Sequence, residues 1–159
     1  MPKLLIVFFS QTGNTESMAH LVAEGARHVP DVAVEVRSVE QTTPDDLLGA
    51  DGIIMGSPVY YGTMAAQLKT LIDESVCHHG ELVGKVGGAF ASSGVMGGGL
   101  ETTIMDILKC LLIHGMVIAG EARGHHYGTV SVGAPEEAAQ AECRKQGRLV
   151  AELVAKLHG

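Results

Sequence analysis

The chain has 159 residues, 46% of them apolar and 18% charged, with a formal charge of −7. That length suits one domain, able to bury about two thirds of the surface its unfolded chain would expose. The acidic balance excludes a nucleic-acid-binding face, which needs basic residues gathered on one side.

Taken in order, apolar runs alternate with helical patterns. Leu4–Phe9 (LLIVFF) is continuously apolar, as expected of a strand buried on both faces. It is too short for the core of a signal peptide or for a membrane span, so no membrane partner is expected. From Met18, apolar or small residues at 21, 22, 25 and 29 keep helical spacing. Val32–Val39 alternates and predicts a second, more exposed strand; Asp45–Leu48 allows at most a short helix after Pro44. Gly52–Gly56 predicts a third strand, and Ala65–Val76 a helix carrying Leu68, Leu71, Ile72 and Val76 on one side. Lys85–Ser92 predicts a glycine-thinned fourth strand and Glu101–His114 a helix capped by Gly115. Met116–Ala119 starts a fifth strand, and Pro135–Leu157 predicts a long terminal helix. This alternation specifies an α/β fold with a doubly wound, five-stranded parallel sheet, residues 1–159 forming one domain.

In such a sheet, ligands bind beyond the carboxyl ends of the strands. Three loops there are rich in Gly, Ser, Thr or Tyr: Ser10–Thr15 (SQTGNT), Ser57–Met64 (SPVYYGTM) and Ala91–Gly99 (ASSGVMGGG). The first suits an anion. A helix start offers unpaired N–H groups and about half a positive charge, so a phosphate there needs no cation. Ser10, Thr12, Asn14 and Thr15 supply further donors, and Gly13 permits close backbone approach. The plainer alternative is an ordinary helix cap by Asn14 or Thr15. Tyr60 and Tyr61 in the second loop suit a flat heteroaromatic ring, or else they cover the sheet end. Gly94 and Gly97–Gly99 would let N–H groups of the third loop meet a ring edge; a plain solvent loop is the alternative.

Competing motifs fail. No G-x-G-x-x-G follows the first strand, GELVGK (80–85) is one residue short of a P-loop, and there is no G-x-S-x-G. Cys77, Cys110 and Cys143 form no C-x-x-C pair, which fits a reducing, cytoplasmic setting. Eight histidines include the pairs His78-His79 and His125-His126, but no metal-binding spacing, so no metal site is expected. Cys110 lies on an apolar stripe. His114 stands at a helix C-terminus, where the dipole favours a positive ring.

SQTGNT, SPVYYG and the glycine-rich third loop together resemble the flavodoxin-like FMN-binding fold. Phe90–Gly120, with its G-G-x-E-T-T segment and terminal H-G-M-V-I, is similar to the WrbA family of NAD(P)H:quinone oxidoreductases. Two departures stand out: Thr12 replaces an aromatic common in that family, and the chain is a short variant. The resemblance implies FMN phosphate on Ser10, Gln11, Thr12, Gly13, Asn14 and Thr15. It puts Pro58, Val59, Tyr60, Tyr61 and Gly62 beside the isoalloxazine ring. Ser92, Ser93, Gly94, Val95, Met96, Gly97, Gly98 and Gly99 would reach its pyrimidine edge. His114 matches a position that approaches the flavin, or it simply caps its helix.

It further implies NADH or NADPH as electron donor, a quinone as acceptor, and assembly as a homodimer or homotetramer. Because the flavin carries the chemistry, no catalytic side chain is expected. Two other readings are a single-electron carrier of the flavodoxin type and an FMN-binding regulatory module. A carrier predicts acidic residues ringing the flavin, and neither Ser57–Met64 nor Ala91–Gly99 contains Asp or Glu.

Overall fold

Strands and helices alternate along a structure, a computed structural model, that describes all 159 residues. The order is β1 (Lys3–Phe8), α1 (Asn14–Ala26), β2 (Ala33–Ser38), α2 (Pro44–Leu48), β3 (Gly52–Pro58), α3 (Ala66–Glu74), β4 (Val86–Ser93), α4 (Leu100–Ile113), β5 (Val117–Ile118), β6 (Thr129–Val132) and α5 (Glu137–His158). The strands pair in parallel in the order β2-β1-β3-β4-β5, and β6 also pairs with β4. No helix is long and apolar enough to cross a membrane.

Both faces of the sheet are covered, which explains the unbroken apolar run at the start of the chain. Alternating side chains send Leu4, Ile6 and Phe8 to one core with α1 and α5. Leu5, Val7 and Phe9 go to the other, with α3 and α4. Full burial of such a side chain contributes about 1.5–3 kcal/mol.

The expected fifth strand is divided. β5 pairs with Val86 and Gly87 at the start of β4, and β6 with Phe90 to Ser93 at its end. Residues 119–128 loop out between them. Gln146 of α5 closes the gap: its Nε2 donates to the Ala89 carbonyl at 2.7 Å, and its Oε1 accepts the Thr129 N–H at 3.1 Å. Periodicity predicts a strand only over Met116–Ala119, because four residues (TVSV) after a polar loop carry too little periodicity to signal one.

Helices α1 and α5 cross backbone to backbone. A Cβ on Gly147 would fall 1.9 Å from the Val22 carbonyl oxygen, and one on Gly25 1.9 Å from that of Arg144. Only glycine permits this approach, despite its cost inside a helix of about 1 kcal/mol.

His114 corrects an expectation. α4 runs antiparallel to β4, so its 14 residues, about 20 Å long, carry His114 to the opposite end of the sheet from the three loops. There the Gly115 carbonyl accepts the N–H of Gly84, just ahead of β4. Within this chain His114 therefore cannot approach a ligand held by those loops. The Ser75 hydroxyl lies 2.6 Å from the Ile72 carbonyl and 2.8 Å from His114 Nε2. A carbonyl only accepts, so the serine proton goes there and Nε2–H donates to Ser75. The ring is neutral, and its buried Nδ1 has no partner. Burial, with His79 adding to it, pushes the His114 pKa below its ordinary value. Desolvation outweighs the helix dipole that should favour a positive ring.

Two outcomes follow. Gly147→Ala should lower stability in urea by about 3 kcal/mol through overpacking. Gly49→Ala, whose Cβ meets only ordinary contact at 3.4 Å, should change it by less than about 1 kcal/mol. As pH falls from about 7 to 5, the unfolded chain takes up a proton that folded His114 resists, so stability declines. His114→Gln should show a smaller acid-side drop in urea midpoint than the natural chain; equal drops would refute the neutral, buried ring.

Candidate functional site

The first loop leaves β1 at Phe9, whose N–H is tied to the Gly56 carbonyl at 3.1 Å. The chain then turns tightly. Ser10 Oγ accepts the Gly13 N–H at 3.1 Å, and the Ser17 hydroxyl donates back to the Gly13 carbonyl at 2.9 Å. Gly13 is the N-cap of α1, in a left-handed conformation with φ 96°. The cap is therefore Gly13, not Asn14 or Thr15, which lie inside the first turn. Without a side-chain cap, the N–H groups of Asn14, Thr15 and Glu16 have no partner in the chain. They point out of the positive end of the helix. Thr15 is buried, its hydroxyl 2.8 Å from that of Ser92, and so joins this loop to the end of β4.

The second loop is a hairpin-like turn. Val59 N–H donates to the Ser92 carbonyl at 2.7 Å, and Tyr60 and Thr63 exchange backbone bonds of 2.9 and 3.2 Å. The two residues between them, Tyr61 (φ 51°) and Gly62 (φ 81°), both have positive φ, the type I′ pattern. Glycine suits it; a tyrosine there is strained by about 1–2 kcal/mol. Tyr60 lies edge-on to Phe9, with ring centres 6.3 Å apart, and its hydroxyl donates to Gln11 Oε1 at 2.8 Å. Tyr61 stands wholly in solvent.

The third loop is folded on itself. Ser93 Oγ donates to the Val95 carbonyl at 2.8 Å, and Gly97 (φ 73°) and Gly99 (φ 115°) turn the chain into α4.

The loops enclose one cleft of about 310 Å³, lined by Ser10, Gln11, Thr12, Asn14, Thr15, Pro58, Val59, Tyr60, Ser92, Ser93 and Gly94. None of these carries a charge. Gly13, Tyr61, Gly62, Val95, Met96, Gly97, Gly98 and Gly99 stand around it rather than in its lining, and His114 is at the far end of the sheet. His125, His126 and Tyr127 do not close over it: they line a small cavity beside α5, with Glu142 and Lys145. Asp106 on α4 is held below the usual carboxylate range by Lys109 and by the Thr63 hydroxyl, and Glu16, in the first turn of α1, is exposed. The three cysteines are free thiols; burial pushes Cys143 up to about 12 and Cys110 upward, away from thiolate chemistry. Thr102 and Asp106 touch the second loop; the G-G-x-E-T-T segment signals Thr102, and no local pattern signals Asp106.

This donor set fits FMN. Unpaired N–H groups and hydroxyls converge without a carboxylate to repel a phosphate, and space is open where a Cβ of Gly13 or Gly94 would stand. A family model for NADPH-dependent FMN reductase matches residues 40–127, which take in the second and third loops. A flavodoxin of Aquifex aeolicus (strain VF5) is 39% identical, over 98% of this chain and 88% of its own. An NAD(P)H dehydrogenase (quinone) of Azorhizobium caulinodans is 34% identical over the whole of both chains. Among solved structures, a flavodoxin from the domain Archaea superposes with a TM-score of 0.79 at 27% identity, over 96% of this chain and 99% of that one. The flavodoxin, WrbA-like protein of Agrobacterium tumefaciens gives 0.83 at 23% identity over 99% of both, a likeness of fold. One family model across more than half of the residues, and relatives above 30% identity along the full length, give the same assignment. The chain belongs to the flavodoxin-like FMN-binding proteins, in the NADPH-dependent FMN reductase family.

Proposed function

We propose that this flavoprotein oxidoreductase is an FMN-dependent NAD(P)H:quinone oxidoreductase, with residues 1–159 acting as one FMN-binding domain. The observation that carries the reading is the uncharged cleft, with the open N–H groups of α1 at one end and Tyr60 at the other. Relatives named NAD(P)H dehydrogenase (quinone) support the donor and the acceptor.

In this reading Ser10, Gln11, Thr12, Gly13, Asn14 and Thr15 hold the FMN phosphate. Each charge-assisted hydrogen bond from an N–H or hydroxyl contributes about 1.5–3 kcal/mol. Pro58–Gly62 flank the isoalloxazine ring and Ser92–Gly99 its pyrimidine edge. FMN bound there would supply the redox chemistry, two-electron transfer from NAD(P)H to a quinone. The chain's own residues bind, orient and shield. No carboxylate or histidine lines the cleft, so protons for the quinol come from solvent. Exposed apolar side chains at and near the end of α4, Leu112, Ile113 and Val76, support assembly as a homodimer or homotetramer. The free thiols suit a cytoplasmic protein.

A second reading, a single-electron carrier, is favoured by the relative named flavodoxin. The two separate in one anaerobic experiment on FMN-loaded protein. NADH or NADPH should bleach the flavin's visible absorbance, and benzoquinone should restore it. No bleaching by either nucleotide, with a stable semiquinone on dithionite titration, would establish the carrier instead. Gly13→Asp places a carboxylate at the helix N-terminus on a left-handed residue; FMN affinity should fall by at least about a hundredfold. Retained affinity would overturn the phosphate assignment.

A further inference from the structure

Thr102 belongs to the E-T-T segment yet lies outside the cleft lining. It sits in the first turn of α4, with its hydroxyl 2.7 Å from the Gly62 carbonyl and 2.9 Å from that of Gly99. Those two glycines meet backbone to backbone: a Cβ on Gly99 would fall 2.8 Å from Gly62 Cα and 3.0 Å from Thr102 Oγ1. One turn further along α4, Asp106 accepts the Thr63 hydroxyl at 2.6 Å and is held by Lys109 at 2.7 Å. The strained Tyr61–Gly62 turn is thus fastened to α4 at its glycine and on its far side. Tyr60, just before the turn, lines the cleft and reaches across to Gln11. The neighbouring Thr103 differs: its hydroxyl is buried without a partner.

We infer that Thr102, with Asp106 behind it, is a positioning residue for the flavin: it latches the Tyr61–Gly62 turn to α4 and so sets the ring-side wall of the cleft. This rests on the FMN reading. Thr102 touches no cleft atom itself and acts through the Gly62 carbonyl. A turn with two positive φ angles, one on tyrosine, keeps that shape only where its surroundings impose it. The latch is such a constraint: the single Thr102 proton is shared between the Gly62 and Gly99 carbonyls, with the shorter contact to Gly62, and so ties the second loop to the third. A purely local role, in which Thr102 merely bonds Gly99 within its own helix start, would affect stability and leave the flavin's surroundings alone.

The test compares Thr102→Val with the conservative Thr102→Ser. In ligand-free protein, hydrogen exchange of the Tyr61–Thr63 amides should be about fivefold faster in T102V, the scale of one lost hydrogen bond. FMN affinity should fall about fivefold, and the visible circular dichroism of bound flavin should change. T102S should restore all three. Wild-type FMN affinity and dichroism in T102V would overturn the inference, as would a T102S that behaves like T102V. Should T102V not fold, Asp106→Ala is the second variant: faster exchange across Tyr61–Thr63 supports the latch, and unchanged exchange refutes it. Failure of the natural chain to bind FMN would count against the FMN reading, while exchange in ligand-free protein still judges the latch.

Discussion

The cleft exists because β1, β3 and β4 emerge level from one edge of a parallel sheet. Phe8 pairs with Gly56, Gly56 with Phe90, and Pro58 with Ser92. The register is reinforced sterically, since the Phe90 ring occupies the place of a Gly56 Cβ, which would lie 2.1 Å from it. Slipping any strand by one residue would turn its core side chains to the opposite face. It would also press that ring onto a side chain. With the ends level, the N-terminus of α1 comes under the same edge, and Thr15 can meet Ser92 across 77 residues of chain.

Electrostatics then follow from geometry rather than from charged side chains. An acidic protein with a charge of −7 would repel a phosphate at long range. At the cleft, however, the local field comes from the open N–H groups of α1, aligned with the helix axis. A cation there would have been free to pair with surface carboxylates, as Lys69 does with Asp73 and Lys109 with Asp106. Helix-borne charge is fixed in place by the backbone, and the first turn's one carboxylate, Glu16, is exposed. The cradle stays positive while the rest of the surface stays acidic.

The relatives, at 39% and 34% identity, carry different names, flavodoxin and quinone dehydrogenase. A cofactor site and a choice of partner are physically separable, because function rests on sites grafted onto a fold rather than on the fold itself. The rim of the cleft is apolar: Tyr61, Val95 and Met96 all project into solvent. Such side chains can meet a flat apolar acceptor without the desolvation cost a ring of carboxylates would impose.

Much of this was legible in the sequence, and the exceptions have physical causes. LLIVFF announced a doubly covered strand because every side chain in it is buried against a helix layer. SQTGNT marked a loop of the cleft, because small hydrogen-bonding residues and a glycine between strand and helix leave the helix start open. The split of the fifth strand was hidden, since its second half is four residues whose pairing relies on Gln146 from a distant helix. His114 was misplaced because it was assigned by motif resemblance alone, whereas a helix that follows a parallel strand runs back to the opposite edge of the sheet and so ends away from the ligand loops.

The sequence by itself determined the alternation of strands and helices, the two-sided core and the three special loops, all encoded in local periodicity and composition. Only the tertiary structure decided that Gly13 caps α1, that Tyr60 rather than Tyr61 lines the cleft, and that Thr102 reaches Gly62. Those facts depend on backbone φ angles and on contacts between residues 40 or more positions apart, which no local pattern specifies.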